Sequence, residues 1–176
     1  MAADYTYGCG CCQNSMLSKT HIEHGPPHVK NIILASTSPY RAALMERLGL
    51  PFKAIAPDTD ETPVDGESFT ALSLRLAEAK ARSVSVNNAL VIGSDQVAVL
   101  GDRQLHKPGT PEKAEAQLKQ AQGQTITFYT SLALLNTVTD RCHLDYVVYR
   151  ASLRPLSSDE IARYVEADTP LDCAGA

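Results

Sequence analysis

The chain has no long apolar run and little excess of charge of either sign. No stretch approaches the ~18 apolar residues of a membrane-spanning helix, and the N-terminus lacks the basic-then-apolar order of a secretory signal. The formal net charge is only -4 over 176 residues, so the surface offers no general attraction for nucleic acid or for an anionic membrane. These absences predict a cytoplasmic protein that binds neither nucleic acid nor a membrane.

Two common catalytic signatures are also missing. There is no Gly-x-x-x-x-Gly-Lys sequence, so a phosphate chain is not held in the P-loop manner. Serine, histidine and aspartate show no convincing triad arrangement, and most of the histidines lie before Asn31. Covalent catalysis is therefore not expected.

The cysteines are odd in number, which does not suit a disulfide framework. Cys142 and Cys173 stand alone in the body of the chain, as is typical of reduced intracellular thiols. The other three lie in residues 1–30, a segment rich in glycine, serine, proline and polar residues, and this composition predicts a disordered N-terminal extension. The alternative is a metal module, although the spacing matches no standard zinc pattern. Its ligands would come from Cys9, Cys11, Cys12, His21, His24 and His28.

From Asn31 onward, strand and helix signals alternate without a linker or a repeat, which predicts one α/β domain over residues 31–176. A chain of this length can bury a core without disulfides or metals. The predicted strands are 32–35, 51–56, 90–100 with a break at 93–96, a short return strand ending at His106, and a hairpin of 125–135 and 142–153. The predicted helices are 39–48, 68–86, one from Thr110 to Gly123, and a last one that begins with a capping box of Ser157 and Glu160.

Apolar residues recur at helical spacing in these helices, as with Ala114, Leu118 and Ala121 in the third. The residues expected to face the core are Phe69, Leu72, Leu76, Ala79 and Ser83 in the long helix, and Ile161, Tyr164 and Val165 in the last one. Within the long helix, Glu78 is placed to pair with Arg82 one turn on.

The segment from Asn31 to Arg41 has the pattern of an anion site. An apolar strand leads through small hydroxyl residues to a helix, with Ser38 as a natural N-cap and Pro39 at the first helical position. The free backbone N–H groups of the helix, the guanidinium of Arg41 and the hydroxyls of Ser36, Thr37 and Ser38 are suited to a phosphate or a carboxylate. The alternative is a strand followed by a well-capped helix that binds no ligand, because such a corner shows a similar sequence pattern.

Four charged residues are candidates for the same site. Asp95 lies inside the apolar run 90–100, where an ionised carboxylate needs a partner, so we expect a functional carboxylate rather than a solvent-facing one at a strand kink. Glu61, in an acidic loop, is a candidate second oxygen donor. Lys80 lies at the edge of a buried helix face, where a free lysine is normally avoided, and Lys107 lies in a loop. Together with the arginine, such charges suit a metal-bound polyphosphate.

Six motifs stand in the order and spacing of the Maf family of nucleoside triphosphate pyrophosphatases, which the chain resembles from Asn31 to its last residue. They are Leu34-Ala-Ser-Thr-Ser-Pro-Tyr-Arg41, Asp60-Glu-Thr62, Ala77-Glu-Ala-Lys80, Ile92-Gly-Ser-Asp-Gln-Val97, Lys107-Pro108 and Phe128-Tyr-Thr130. The resemblance implies a twisted mixed sheet flanked by helices, as in inosine triphosphate pyrophosphatases. It also implies hydrolysis of a nucleoside triphosphate to the monophosphate and pyrophosphate with Mg or Mn, and a homodimer.

Residue by residue, the resemblance implies a role for each candidate. Asp95 matches the family's proton acceptor, which activates the attacking water, and shares the metal with Glu61. The residues that match the phosphate-binding positions are Ser36, Ser38, Arg41, Lys80 and Lys107.

Tyr40 and Gln96 distinguish two branches of the family. Many members have an arginine in place of Tyr40 and a threonine in place of Gln96, and these resemble the branch that acts on dTTP and UTP. This chain looks like the branch that hydrolyses 7-methyl-GTP, whose cationic base is expected to stack on an aromatic face. A dTTP or UTP pyrophosphatase is the alternative, with Tyr40 merely packed on the first helical turn.

Family members continue past the segment that aligns with residues 173–175, through a glycine-rich loop, a strand and a helix. The domain over 31–176 is therefore expected to lack its C-terminal closing elements, which would expose core and a sheet edge. A truncated nucleotide-binding protein without turnover is accordingly the second functional alternative.

Overall fold

The computed structural model describes residues 31–175, which form a mixed sheet of six strands flanked by four helices. The interpretations of residues 1–30, disordered extension or metal module, lie outside the described residues. In chain order the elements are β1 Asn31–Ala35, α1 Pro39–Glu46, β2 Lys53–Ile55, α2 Phe69–Ser83, β3 Ala89–Leu100, β4 Arg103–Leu105, α3 Pro111–Ala121, β5 Thr125–Asn136, β6 Arg141–Ser152 and α4 Ser158–Asp168. The predicted α/β fold is confirmed.

The strand order is β2-β1-β3-β5-β6, and β4 also pairs with β3. β1 is parallel to β2 and β3, whereas the β3–β4, β3–β5 and β5–β6 pairs are antiparallel. β5 covers one edge of β3 from Leu90 to Leu100, so β1 and β4 share the other edge. β1 pairs there only as far as Gly93 and β4 only from Ala98, which leaves an uncovered gap along residues 94–97.

The helices cover both faces of the sheet. Val97 and Val99 of β3 pack against Leu72 and Leu76 of α2. Ala98 between them faces the opposite side, where it packs with residues of α3 and β5, because successive side chains of a strand alternate between faces. α4 packs on α3 and completes that second layer.

Most helix starts follow the predicted caps. The side chain of Ser38 accepts a hydrogen bond from Arg41 N, and Thr110 accepts one from Lys113 N. The capping box of Ser157 and Glu160 is present at the start of α4. The ends differ, because α1 stops at Glu46 rather than 48 and α2 stops at Ser83 rather than 86, where the backbone of Val84 is extended.

Three sequence-based expectations are wrong. β3 is one continuous strand, not a strand broken at 93–96, because Gly93 permits the close approach of α2 instead of ending the strand: an added Cβ would lie 2.1 Å from Ala77 O. Ala79 and Ser83 are only partly buried, because the face of α2 that packs on the sheet consists of two other rows of residues with i, i+4 spacing. The buried residues of α2 are Leu72, Ser73, Leu76, Ala77, Lys80 and Ala81. Tyr164 is 39 % exposed, although Ile161 and Val165 are buried as expected.

Across residues 31–175, no helix has the length and apolar character needed to cross a membrane.

Candidate active site

A cavity of about 410 Å³ opens beside the turn that follows β1. The turn lies next to the gap at residues 94–97 of β3, because β1 ends beside Gly93. The predicted site residues that line the cavity are Ser36, Ser38, Tyr40, Arg41, Glu61, Lys80 and Lys107. The fold therefore brings together residues from α1, α2 and three loops that are far apart in the sequence.

The predicted anion turn is held together by its own side chains. The buried Ser36 Oγ accepts hydrogen bonds from Ser38 N at 3.1 Å and from Arg41 Nη1 at 3.4 Å. Ser38 Oγ caps α1 by accepting from Arg41 N at 3.4 Å. Two hydroxyls, a guanidinium and the start of a helix thus face one space, which is the arrangement that binds anions.

Burial lowers the pKa of Arg41, whereas the negative charges of Asp95 and Glu61 act to raise it. An arginine remains charged despite such a shift. A desolvated guanidinium next to the capped turn is a strong partner for a phosphate oxygen, because charge-assisted hydrogen bonds gain strength where water is excluded.

Lys80 joins the two candidate carboxylates. Its Nζ lies 2.6 Å from Asp95 Oδ1 and 2.7 Å from Glu61 Oε1. Lys80 and Asp95 are each 7 % exposed, whereas the Glu61 side chain is 62 % exposed. The sequence placed Lys80 at the edge of the buried face, and the structure places it inside that face, where the Asp95 carboxylate compensates its charge.

Asp95 and Gln96 point to opposite faces of the sheet. Asp95 faces α2 and touches Lys80, which lines the cavity, but Asp95 itself is not part of the cavity wall. Gln96 is exposed on the other face, where its Nε2 donates to Thr130 Oγ1 at 2.8 Å. Of the two predicted specificity residues, the structure brings only Tyr40 to the cavity.

Two features of the site were missed by sequence reasoning. Asp172 also lines the cavity, and it comes from the segment after α4 that has no recognisable local pattern. Arg75 of α2 binds both carboxylate oxygens of Glu67 at 2.8 Å and the carbonyl of Thr62 at 3.1 Å, so it anchors the loop that carries Glu61. The sequence predicts a helix at Arg75 and an acidic loop before it. It does not predict their contact, which depends on how the loop folds back over α2.

Within residues 31–175, no group of three or more histidine, cysteine, aspartate or glutamate side chains is placed to hold a metal ion. The two predicted metal ligands, Glu61 and Asp95, nevertheless converge on one point, which the ammonium group of Lys80 occupies.

The fold and the site define an α/β protein whose cavity combines a capped turn suited to anions with the buried Lys80, the partly buried Arg41 and exposed carboxylates. The chain belongs to the family described as Maf-like protein, whose model matches residues 31–176. This confirms the resemblance inferred from the six motifs.

The chain is similar to several curated proteins that carry the name 7-methyl-GTP pyrophosphatase. That of Pseudomonas fluorescens is 51% identical over 147 residues, which is 82% of this chain and 77% of that protein. That of Nitrosococcus oceani is 49% identical over 152 residues, or 85% of this chain and 76% of that protein. That of Pseudomonas aeruginosa is 49% identical over 148 residues, or 83% and 77% of the two chains.

Proposed function

We propose that the protein is a nucleoside triphosphate pyrophosphatase that hydrolyses 7-methyl-GTP to 7-methyl-GMP and pyrophosphate. The observation that carries this proposal is that the anion turn, Glu61 and Lys80 line one cavity, while Asp95 is bonded to Lys80 behind the cavity wall. The names of the relatives, at about half identity over most of the chain, support the same reaction. A cavity of about 410 Å³ is of the size that holds a small organic ligand.

The cations of the cavity account for binding of the triphosphate. Arg41 and the hydroxyls of Ser36 and Ser38 hold one phosphate group at the start of α1, and Lys80 and Lys107 neutralise the rest of the chain. Stripping the phosphorus of repulsive charge is the main task in such a reaction, because phosphoryl transfer depends on positioning and charge stabilisation.

Asp95 acts as the general base in this proposal. It takes a proton from a water molecule that attacks the α-phosphorus, while the α–β phosphoanhydride bond breaks and pyrophosphate leaves. In the structure, Asp95 Oδ1 accepts a hydrogen bond from Lys80. When Lys80 turns to the phosphates of the substrate, this oxygen becomes available to the water.

A divalent cation, Mg or Mn, belongs to the proposal. Glu61 and Asp95 suit such an ion, because both carboxylates already converge on one positive group and Mg²⁺ sites usually combine one or two carboxylates with substrate phosphates. When bound, the ion would supply further neutralisation of the polyphosphate charge. A cytoplasmic location and a homodimer remain predictions.

The choice of 7-methyl-GTP depends on Tyr40. Its side chain is 64 % exposed and lines the cavity, so it can stack on a base. A cation on an aromatic face is stabilised by ~0.5–2 kcal/mol, and the methylated guanine is cationic whereas thymine and uracil are neutral. Hydrolysis of dTTP or UTP is the second candidate.

The test is pyrophosphate release from 7-methyl-GTP, GTP, dTTP and UTP with Mg or Mn. We expect 7-methyl-GTP to have the highest kcat/KM, and Asp95→Asn to reduce kcat by at least ~100-fold, as loss of a general base does. Asp102→Asn, at the exposed turn between β3 and β4, is the matched control. Unchanged turnover in Asp95→Asn would contradict the role of the base, and thermal stabilisation by nucleotides without hydrolysis would favour a binding protein.

A further inference from the structure

Two acidic residues line the cavity, and only one of them forms an ion pair within the described residues. Glu61 is engaged by Lys80 at 2.7 Å. Asp172 is exposed and makes no ion pair within residues 31–175, although it lines the same cavity as Lys107 and Arg41. An unpaired carboxylate repels a triphosphate. We therefore expect Asp172 to contact a part of the ligand other than its phosphates.

The position of Asp172 is set by contacts on both sides. Gly109 N donates to Leu171 O at 3.0 Å, which ties the segment to the loop that carries Lys107. On the other side, Ala174 packs against the cluster around Ile126. The contacts of its neighbours therefore fix the backbone of Asp172 next to the cavity.

The same segment lies near the predicted stacking residue, because Asp172 and Tyr40 line one cavity. The neighbouring Cys173 side chain first, then loss of hydration, and then the negative charge of Asp172 raise the pKa of the Tyr40 hydroxyl. The cavity wall thus contains both an aromatic side chain and a carboxylate that has no ion pair within the described residues.

We propose that Asp172 is a specificity-determining residue that recognises the cationic purine of 7-methyl-GTP while Tyr40 stacks on it. This inference rests on the function proposed above. Guanine presents N1–H and a 2-amino group as neighbouring donors, and a carboxylate can accept from both. Methylation at N7 makes the ring positively charged, which strengthens both hydrogen bonds and adds direct attraction to Asp172.

Other bases gain less from this carboxylate. GTP offers the same two donors without the charge. The uracil and thymine rings present one N–H between two carbonyl oxygens, and a carboxylate repels those oxygens. Asp172 therefore favours methylated guanine over guanine, and guanine over a pyrimidine.

The experiment compares the wild type with Asp172→Asn on 7-methyl-GTP, GTP and UTP. We expect the ratio of kcat/KM for 7-methyl-GTP to that for UTP to fall by about tenfold or more, as loss of a charged hydrogen bond requires, chiefly through KM. Asp168→Asn, exposed at the end of α4 and outside the cavity, is the control and should keep the wild-type ratio. An unchanged ratio in Asp172→Asn, or an equal loss with all three substrates, overturns the assignment.

A binding measurement separates this inference from the proposed function. Calorimetric titration with 7-methyl-GMP, GMP and UMP reports recognition of the base without hydrolysis. If the wild type hydrolyses no triphosphate, the proposed function fails. A loss of affinity in Asp172→Asn that is largest for 7-methyl-GMP, smaller for GMP and absent for UMP would then still support Asp172 as the base-recognising residue, and equal affinities of the variant and the wild type would reject it.

Discussion

Lys80 Nζ lies 2.6 Å from Asp95 Oδ1, and both side chains are almost completely removed from solvent. A lysine on a core-facing helix position and an aspartate in an apolar strand would each be unfavourable alone, because an isolated buried charge is costly. The pair therefore exists as a unit that joins α2 to β3.

Replacement of Lys80 by methionine is predicted to lower the free energy of unfolding by ~3–5 kcal/mol, because it leaves the Asp95 carboxylate buried without a partner. Adding Asp95→Asn should recover much of that loss. Urea denaturation at pH 7 measures both effects. Lys119→Met, which removes a surface pair with Glu115, is the control and should cost no more than ~0.5 kcal/mol. Equal effects of the two lysine variants would contradict the buried pair.

Arg75→Gln is predicted to reduce kcat/KM for the triphosphate by about tenfold, which corresponds to ~1.4 kcal/mol of lost transition-state stabilisation. The arginine anchors Glu67 and the Thr62 carbonyl, so its loss releases the loop that presents Glu61. Steady-state kinetics provide the measurement.

Arg82→Gln is the matched control for this loop, because Arg82 lies on the same helix and pairs with Glu78 and Asp140 outside the cavity. The exchange of charges in Arg75→Glu with Glu67→Arg is expected to restore part of the activity. If Arg82→Gln impairs the reaction as much as Arg75→Gln, the loop contact is not what matters.

Gly93→Ala is predicted to destabilise the fold by ~1–3 kcal/mol or more, because its Cβ would overlap the backbone of α2. The added atom would lie 2.1 Å from Ala77 O and 2.7 Å from Ala81 N, and neither can move without shifting the helix. Thermal unfolding checks this. Gly101→Ala is a useful comparison, since that position has a positive φ and open space around it and costs backbone strain alone, ~1–2 kcal/mol. A smaller loss for Gly93→Ala would show that α2 can move away.

The start of α4 is predicted to lose stability in acid. Hydrogen bonds from Arg154 and then from the backbone and side chain of Ser157 lower the pKa of Glu160 from 4.5 to about 2. A lowered carboxyl pKa stabilises the fold above the unfolded value of 4.5, and this contribution is lost as the pH falls toward about 2. Urea midpoints of the wild type and Glu160→Gln should therefore differ at pH 7, approach each other below pH 4.5 and converge only as the pH reaches about 2. A constant difference would contradict this, and Glu166→Gln, also exposed on α4, serves as the control.

Much of the fold was legible from local patterns. The caps at Ser38, Thr110 and Ser157 depend on residues three positions apart, and the hairpin of β5 and β6 depends on alternation within a short stretch. Such signals act over one or two turns and need no knowledge of distant residues. They placed the anion turn and the long hairpin correctly.

Other features depended on partners far away in the sequence. Gly93 was interpreted as a strand break, whereas it is the contact point of α2. Gln96 was grouped with Asp95 because they are neighbours in the sequence, but the alternation of a strand sends them to opposite faces. Asp172 had no local signal and was found only because α4 and the Gly109 loop bring it to the cavity.

The sequence by itself determined the family, the capped anion turn and the types of charged group, because these are written in short motifs with fixed spacing. Only the tertiary structure decided that Lys80 bridges Glu61 and Asp95 and that Asp172 lines one cavity with Tyr40. The physical reason is that the environment of a charged side chain depends on the residues packed around it. Those residues come from segments that are far apart in the sequence, so local patterns do not reveal whether the charge is paired, buried or exposed to a ligand.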